Sequence, residues 1–283
     1  MSPLADIWRI ARFDLGTAIR TKRALVALAV YVAAALATGA ILVAIELEAS
    51  DKLALAKAMT DAAAMKDGGP TPFVKAMTFL VGGDEELARH LLDIPAVVLG
   101  FFWTTQAFLP FLVALVSFDL VNSEVRNRSA RFVLLRCSRA SLLLGKMLSH
   151  GLLFLAVTVA SNLALFIYAW VRLPGFDPMV SGEYLLWFWA LTVPFGFTYL
   201  GLAALVSSLI DSGGLSLVAL FGALIGLVIV SHSDTVGFLA PGAWKLGLWS
   251  HRPADVASSV VAYLAFGWVF LGGAYARFQR RDL

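Results

Sequence analysis

The stretch PAVVLGFFWTTQAFLPFLVALVSF, residues 95–118, decides the fold class of this chain. It contains no Asp, Glu, Lys, Arg or His. A helix rises about 1.5 Å per residue, so an apolar run of this length reaches across the hydrocarbon core of a bilayer, which is about 30 Å thick. The stretch is therefore predicted to be a transmembrane helix.

The rest of the 283-residue chain repeats this pattern. Hydrophobic residues make up 60% of the sequence and charged residues 14%, with a mean hydropathy of +0.82, whereas an ordinary soluble domain carries roughly 25% charged residues. We predict an all-α polytopic membrane protein with one transmembrane domain (1–283), six transmembrane helices and an N-terminal interfacial helix. The predicted parts are the interfacial helix 1–23, the spans 24–45, 95–118, 147–171, 184–209, 214–231 and 256–276, an extracytoplasmic segment 46–94 and a cytoplasmic loop 119–146.

The distribution of Lys and Arg gives the orientation. These residues are concentrated before the first span, in the loop 119–146 and after the last span, whereas those on the other side are spread out and mostly balanced by acids. The positive-inside rule therefore places both termini in the cytoplasm. Topology and anionic membrane lipid account for the net charge of +3, so nucleic acid is not expected as a partner.

The N-terminal helix is predicted from its two faces. Leu4, Trp8 and Leu15 fall on one face, while Arg9 and Arg12 fall elsewhere, which is typical of a helix that lies on the membrane surface. The alternative is a positively charged flank of the first span with no structure of its own.

The predicted spans carry almost no ionisable groups, which disfavours an ion-driven carrier or a channel built on intramembrane charge. Their deep polar residues are neutral, and Gln106 and Asn162 are two of them; Pro110 and Pro194 interrupt the second and fourth spans near their middles. We name these four residues as candidates for a translocation path. The alternative is that the polar pair forms hydrogen bonds between helices and the prolines only kink them.

No catalytic, cofactor-binding or metal-binding residues are predicted. The single cysteine, Cys137, and four scattered histidines give no metal-ligand spacing. Gly145 and Lys146 do not form a phosphate-binding loop, because Ala140 occupies the position of the required earlier glycine. We therefore predict that the chain is not an enzyme.

The predicted cytoplasmic loop, DLVNSEVRNRSARFVLLRCSRASLLLGK at 119–146, is long and basic. Ser138 is positioned to cap the helix that leads into the third span. Phe132 and Leu135 are apolar residues within a positively charged segment, a combination that fits the groove of a partner protein or the lipid surface.

This loop resembles that of the permease subunit of ABC exporters of the ABC type-2 class. The resemblance rests on an acid at the end of the second span (Asp119), a following Glu124, an arginine-rich Leu-Leu stretch, a Ser-Arg pair (Ser138 and Arg139) and a Leu-Gly-Lys run at 144–146. The Ile-Ala-Arg-Phe-Asp run at 10–14 and the C-terminal Arg-Phe-Gln-Arg-Arg-Asp-Leu at 277–283 are similar to family features at the same topological places. Cys137 departs from the Pro or Thr that relatives often carry.

The resemblance implies that two such permeases, identical copies or paralogues, bind two separate ATPase subunits. Those partners hold ATP and Mg, this chain holds no cofactor, and the protein resides in the bacterial inner membrane in contact with membrane lipid. The loop 119–146 is then a coupling loop, and the residues expected to dock the ATPase are Glu124, Arg126, Arg131, Phe132, Leu135 and Arg139.

Two alternatives stay open. The basic loop could be a positive-inside anchor that touches only lipid headgroups. The chain could also be a membrane scaffold or mechanotransmission subunit that uses the same ATPase coupling to act on an extracytoplasmic protein through segment 46–94, without moving cargo. An intramembrane enzyme is the least favoured reading, because no catalytic pair is visible.

Overall fold

The structure, a computed structural model, describes residues 3–20, 25–26, 28–41, 43–44, 78, 81–126, 134–233 and 235–280, except for the side chains of Ala96, Val125 and Arg126. Within these ranges every regular element is a helix, which confirms the predicted all-α class. The helices are α1 (Pro3–Arg20), α2 (Leu28–Ile41), α3 (Glu85–Asp93), α4 (Ala96–Ser117), α5 (Asn122–Arg126), α6 (Arg139–Arg172), α7 (Pro178–Leu209), α8 (Gly213–Ser231) and α9 (Pro253–Gln279). Three short 3₁₀ helices, Gly237–Leu239, Pro241–Trp244 and Leu246–Trp249, lie between α8 and α9.

Five of the described helices, α4 and α6 to α9, are long and apolar enough to cross a membrane. The helix α2 is apolar but shorter. It lies where the sequence predicts the first span, 24–45, part of which falls outside the described residues. Most of the predicted segment 46–94 and residues 127–133 of the loop also fall outside them.

The helix α7 forms the centre of the bundle and packs against α4, α6, α8 and α9. Its closest neighbour is α9, because Gly201 has no side chain: a Cβ there would lie 2.7 Å from the carbonyl oxygen of Gly267. Three residues earlier, the Thr198 hydroxyl donates a hydrogen bond of 2.6 Å to the carbonyl of Tyr263. Glycine and threonine at such a contact allow helices to approach closely within a membrane.

Contacts between helix termini define two ends of the bundle. At one end, α1 contacts the start of α6, and the end of α9 contacts Arg139. We call this the α1 end. At the other end, Glu86 of α3 forms ion pairs with His251 and Arg252, which precede α9. We call this the α3 end.

Side-chain caps fix where helices begin. The carboxylate of Asp84 accepts a hydrogen bond from the Leu87 amide, and the hydroxyl of Ser138 accepts one from the Ser141 amide, as N-cap residues do. The predicted Ser138 cap is confirmed. Because Ser138 starts α6, this helix begins well before the predicted span 147–171, and residues 139–146 of the predicted loop are helical.

Two further observations concern helix continuity. A turn at 118–121 lies between α4 and α5. The helices α4 and α7 both continue through their internal prolines, Pro110 and Pro194.

Candidate functional site: a buried charge network at the α1 end

Lys146 of α6 is buried between charged partners contributed by two other helices. Its ammonium nitrogen Nζ lies 3.2 Å from Oδ1 of Asp14 in α1 and 3.0 Å from Oε1 of Glu124 in α5. The lysine side chain is only 9% exposed, against 18% for Asp14 and 25% for Glu124. One cation from α6 therefore connects α5 to α1, which lies 132 positions away from Lys146 at Asp14.

Two polar residues extend this network toward α4. His150, one turn further along α6, places Nε2 3.5 Å from Oδ2 of Asp14. Its Nδ1 lies 2.7 Å from the hydroxyl of Ser117, the last residue of α4. We call Asp14, Ser117, Glu124, Lys146 and His150 the charge network.

The electrostatics of Asp14 show that it enters the network as a carboxylate. Burial by itself would raise its pKa, but the contact with His150 and the charge on Lys146 outweigh burial and lower the pKa from 3.8 to about 2. Opposite charge and hydrogen bonding favour the ionised form in this way. Asp14 is thus ionised at any physiological pH.

Gly145 allows α1 to come close enough for these contacts. A Cβ at this position would lie 2.7 Å from Cβ of Ile10 and 3.0 Å from the carbonyl oxygen of Ile7. No side chain fits at such distances without displacing α1. The Gly-Lys pair thus has two linked roles: the glycine admits the backbone of α1, and the lysine then pairs with its aspartate.

The energetics of buried ion pairs make this connection difficult to open. Removing one partner from such a pair leaves an uncompensated buried charge, at a cost of about 3 to 5 kcal/mol. Pulling α1 or α5 away from Lys146 has the same consequence unless water enters. The three helices are therefore expected to move together at this end.

Arg139 joins the start of α6 to the end of α9. Its guanidinium donates hydrogen bonds of 2.6 Å to the carbonyls of Phe278 and Gln279 and lies 5.6 Å from the centroid of the Phe278 ring. The last carbonyls of a helix lack partners within it, and a cation there also complements the helix dipole. The phenylalanine itself is buried.

The turn between α4 and α5 is fastened to two other helices. The hydroxyl of Ser207 in α7 accepts hydrogen bonds from the amides of Val121 and Asn122, at 2.9 and 3.1 Å. The hydroxyl of Ser216 in α8 donates one of 2.6 Å to the carbonyl of Phe118. Displacement of this turn is thus transmitted to α7 and α8.

The docking residues predicted from the sequence lie in different surroundings. Glu124 belongs to the charge network, Arg139 binds the end of α9, and Leu135 is 83% exposed. The side chain of Arg126 and the whole of Arg131 and Phe132 lie outside the described residues. Of the three described side chains, only that of Leu135 offers a largely exposed apolar surface.

The residues named for a translocation path are not brought together. Oε1 of Gln106 accepts a hydrogen bond of 3.0 Å from the indole N–H of Trp249, and Asn162 is buried in α6. Pro194 lines a large groove at the α3 end, whereas Pro110 does not. Gln106 does not line this groove, and its link to the groove is the hydrogen bond from Trp249.

Sequence reasoning missed Asp14, Lys146 and His150 as members of one site. Asp14 and Lys146 fall within the family-like runs at 10–14 and 144–146, and His150 is one of the four scattered histidines. The available signal was the Gly-Lys pair at the start of an apolar helix, together with an acid on the face of α1 that also carries Ile7 and Ile10.

The protein is a bundle of long apolar helices with a buried charge network at one end. This architecture defines the class of polytopic membrane proteins. Within the described residues no group of three or more His, Cys, Asp or Glu side chains could hold a metal ion.

The chain belongs to the ABC-2 family of transporter proteins, since the model of the ABC-2 family transporter protein matches residues 8–283. The family is a membrane transport component, is not itself catalytic, and normally works with ATPase subunits. A search of curated proteins finds no match to this chain.

Proposed function

We propose that this protein is the transmembrane permease subunit of an ATP-driven exporter, coupled to separate ATPase subunits through the loop 119–146. The observation that carries the proposal is the pairing of Lys146 with Glu124 and Asp14. This pairing links the loop's first helix, α5, directly to a membrane-crossing helix and to the N-terminal helix. A force applied to the loop would then reach α6 without passing through a flexible connection.

We further propose six membrane crossings. The α1 end holds α1, whereas α3 lies at the α3 end, so the chain between them crosses an odd number of times. The helix α2 is the candidate, because Tyr31 lies beside Thr158 and Gly39 beside Leu165. These contacts make α2 run parallel to α6, which itself crosses from the α1 end to the α3 end. Together with the five long helices, α2 brings the count to six.

The α1 end is proposed to face the cytoplasm of a bacterial cell, across the inner membrane, with both termini on that side. The basic residues of α1, the loop and the C-terminal tail support this orientation. Two exposed apolar residues on one face of α1, Leu4 at 78% and Trp8 at 57%, support its placement on the lipid surface.

The charge network suggests how ATPase closure would act. An ATPase that pushes Leu135 and its neighbours would move α5 and α6 together, since Glu124 and Lys146 are paired. The same motion would carry α1 through Asp14 and the end of α9 through Arg139. Charge-assisted contacts of this kind hold geometry better than apolar contacts alone.

The remaining partners follow from this assignment. Two ATPase subunits would bind ATP and Mg, and a second copy or a paralogue of this chain would complete the membrane part. This chain would supply the path and the mechanical link, with no cofactor of its own. Binding of an extracytoplasmic protein through segment 46–94 would instead support the scaffold alternative.

Replacing Leu135 with Asp tests the docking surface. Leu135 is 83% exposed, so the change should leave the fold intact while placing a charge where an apolar contact is proposed. We expect loss of co-purification with the ATPase subunit encoded beside this chain. Met179→Asp is the matched control, because Met179 is 75% exposed at the α3 end and should not contact that ATPase. Equal ATPase recovery from both variants would contradict the docking assignment.

A further inference from the structure

A groove of about 950 Å³ opens at the α3 end, between α3, α7, the last 3₁₀ helix and α9. This volume lies at the upper end of the range of roughly 300 to 1,000 Å³ that is usual for ligand pockets. Several of its wall residues are open to the surroundings, and Trp187 is 49% and Val193 53% exposed. The groove is therefore accessible from the side of the bundle.

Polarity changes along the groove. The part of the lining nearest the α3 end, which we call the mouth, carries His90, Glu183 and His251. Next come Tyr184, Trp187 and Trp249, and the part farthest along α7 and α9 is formed by Leu191, Val193, Pro194, Val260 and Leu264. Tyrosine and tryptophan prefer the level of lipid headgroups, with apolar residues below them. The lining thus matches an amphiphile with its polar part at the mouth.

The groove has the depth of one lipid leaflet. Along α7 its lining runs over fifteen residues, from Val180 to Pro194, whose Cα atoms span about 21 Å at about 1.5 Å per residue. Along α9 it runs over twelve residues, from Pro253 to Leu264, which span about 16 Å by the same rise. Half of a bilayer's hydrocarbon core is about 15 Å thick.

The inner wall is held in place by packing. Trp249 donates its indole hydrogen bond to Gln106 and packs edge-on against Trp103, with ring centroids 5.5 Å apart. Phe188 stacks on Phe102 with ring centroids 4.2 Å apart. These contacts make the groove a preformed site, which lowers the ordering that a ligand must impose on binding.

The charges at the mouth select the headgroup. Glu183 is exposed, and none of the described basic side chains forms an ion pair with it. Burial and the neighbouring His251 lower the pKa of His90, which favours its neutral imidazole form over the charged one. His251 is already engaged by Glu86 at 3.0 Å. An unpaired carboxylate attracts an amine and repels a group with net negative charge.

We propose that this groove binds a membrane amphiphile, with its alkyl chain along α7 and α9 and an amine-bearing headgroup beside Glu183. The smaller cavity between α4, α6 and α7, about 340 Å³, does not offer such a site, because Thr158 and Thr192 are its only polar side chains. The proposal concerns binding alone and does not depend on ATP-driven export.

The test uses the full-length protein in phosphatidylcholine nanodiscs with a lysophosphatidylethanolamine that carries a diazirine at the end of its chain. After illumination, peptide mass spectrometry locates the label. We expect adducts near Pro194 and Leu264, where the groove ends. Ala257→Trp, which fills the groove from an exposed position of α9, should abolish most of this label.

Ala265→Trp is the matched control, since Ala265 is exposed on the same helix and lines neither of these two cavities. It should leave the label unchanged. The headgroup is tested with Glu183→Gln. The unmodified protein should prefer the ethanolamine probe over a glycerol-headed probe about tenfold, which corresponds to about 1.4 kcal/mol. The variant should be labelled nearly equally by both probes, because it lacks the carboxylate that attracts the amine.

Label spread over the exposed face of α8 as heavily as over the groove, and unaffected by Ala257→Trp, would overturn the proposal. Equal labelling by both probes in the unmodified protein would overturn the headgroup assignment. Neither result bears on ATPase docking, because no ATPase is present in the experiment.

Discussion

The two ends of the bundle hold their polar residues in opposite ways. At the α1 end, Lys146 is 9% exposed and lies between two carboxylates. At the α3 end, Arg89 and Glu85 form an ion pair at 67% and 57% exposure, and Glu183 has no ion-pair partner among the described residues. Buried, paired charge fixes helices relative to each other, whereas exposed charge stays available to a ligand. This difference supports the two proposals made above, force transfer at the α1 end and ligand binding at the α3 end.

Lys146→Met should give the largest effect, because it leaves Asp14 and Glu124 buried without their cation. We expect a loss of about 3 to 5 kcal/mol in the free energy of unfolding, measured by titrating the purified protein with denaturing detergent. The matched control is Arg89→Met, which removes a cation from the exposed pair and should change stability by at most about 1 kcal/mol.

Equal losses of unfolding free energy in Lys146→Met and Arg89→Met would contradict the proposed difference between the buried charges of the α1 end and the exposed charges of the α3 end. Combining Lys146→Met with Asp14→Asn and Glu124→Gln should recover part of the stability, since no uncompensated charge then remains. If the triple variant recovered no stability, the loss in Lys146→Met would not arise from uncompensated charge on Asp14 and Glu124.

Gly145→Ala should give a smaller effect through sterics. The new Cβ would meet Cβ of Ile10 at 2.7 Å, so α1 must shift or detach. Overpacking of this kind costs about 1 to 3 kcal/mol. Protease accessibility of α1 reports detachment, and the unfolding titration reports the cost.

Gly151→Ala is the control on the same helix, because its Cβ would meet only Leu200, at an ordinary 3.6 Å. That variant should be neutral or slightly stabilising, since alanine is favoured over glycine within a helix. Release of α1 in both variants would mean that an added methyl group is not tolerated at either position of α6. The close approach of α1 at Gly145 would then not be the cause of the effect.

Trp249→Phe should destabilise the protein by no more than Gly145→Ala does. It removes the only hydrogen bond found for the Gln106 side chain in the described part of the chain, whose amide nitrogen already lacks a partner there. The expected loss is about 1 to 3 kcal/mol, with lowered groove labelling by the diazirine probe. Trp244→Phe serves as the control, since Trp244 bonds only an exposed carbonyl, that of Phe238. Undiminished groove labelling in Trp249→Phe would show that this wall is not held by Gln106.

The sequence predicts the parts of this fold that depend on local composition. Hydropathy finds the long helices, and the caps at Ser138 and Asp84 are readable because the capping side chain bonds an amide two or three residues away. The predicted span 147–171 begins later than α6 itself, because Arg139 and Lys146 lie in the helical backbone ahead of the uncharged apolar run.

The charge network and the groove depend on packing between distant segments. Asp14 and Lys146 are 132 positions apart, and nothing in either local sequence specifies their contact. The walls of the groove come from four elements of the fold. The sequence therefore identifies Pro194 as an interruption of a helix but does not show that this residue lines a cavity. Such juxtapositions arise from helix packing, which a single sequence constrains only weakly.

The most direct test of the central claim is a distance measurement across the α1 end. Spin labels are placed at Thr17→Cys in α1 and Arg136→Cys in the loop, in a Cys137→Ser background, with Thr17→Cys paired with Leu239→Cys at the α3 end as the second pair. Pulsed electron resonance then compares the complex with its ATPase, with and without a non-hydrolysable ATP analogue. We predict an unchanged distance between positions 17 and 136, a changed distance between positions 17 and 239, and loss of the constant first distance in Lys146→Met. A nucleotide-dependent change between positions 17 and 136 in the otherwise unmodified protein would show that α1 and the loop do not move as one body.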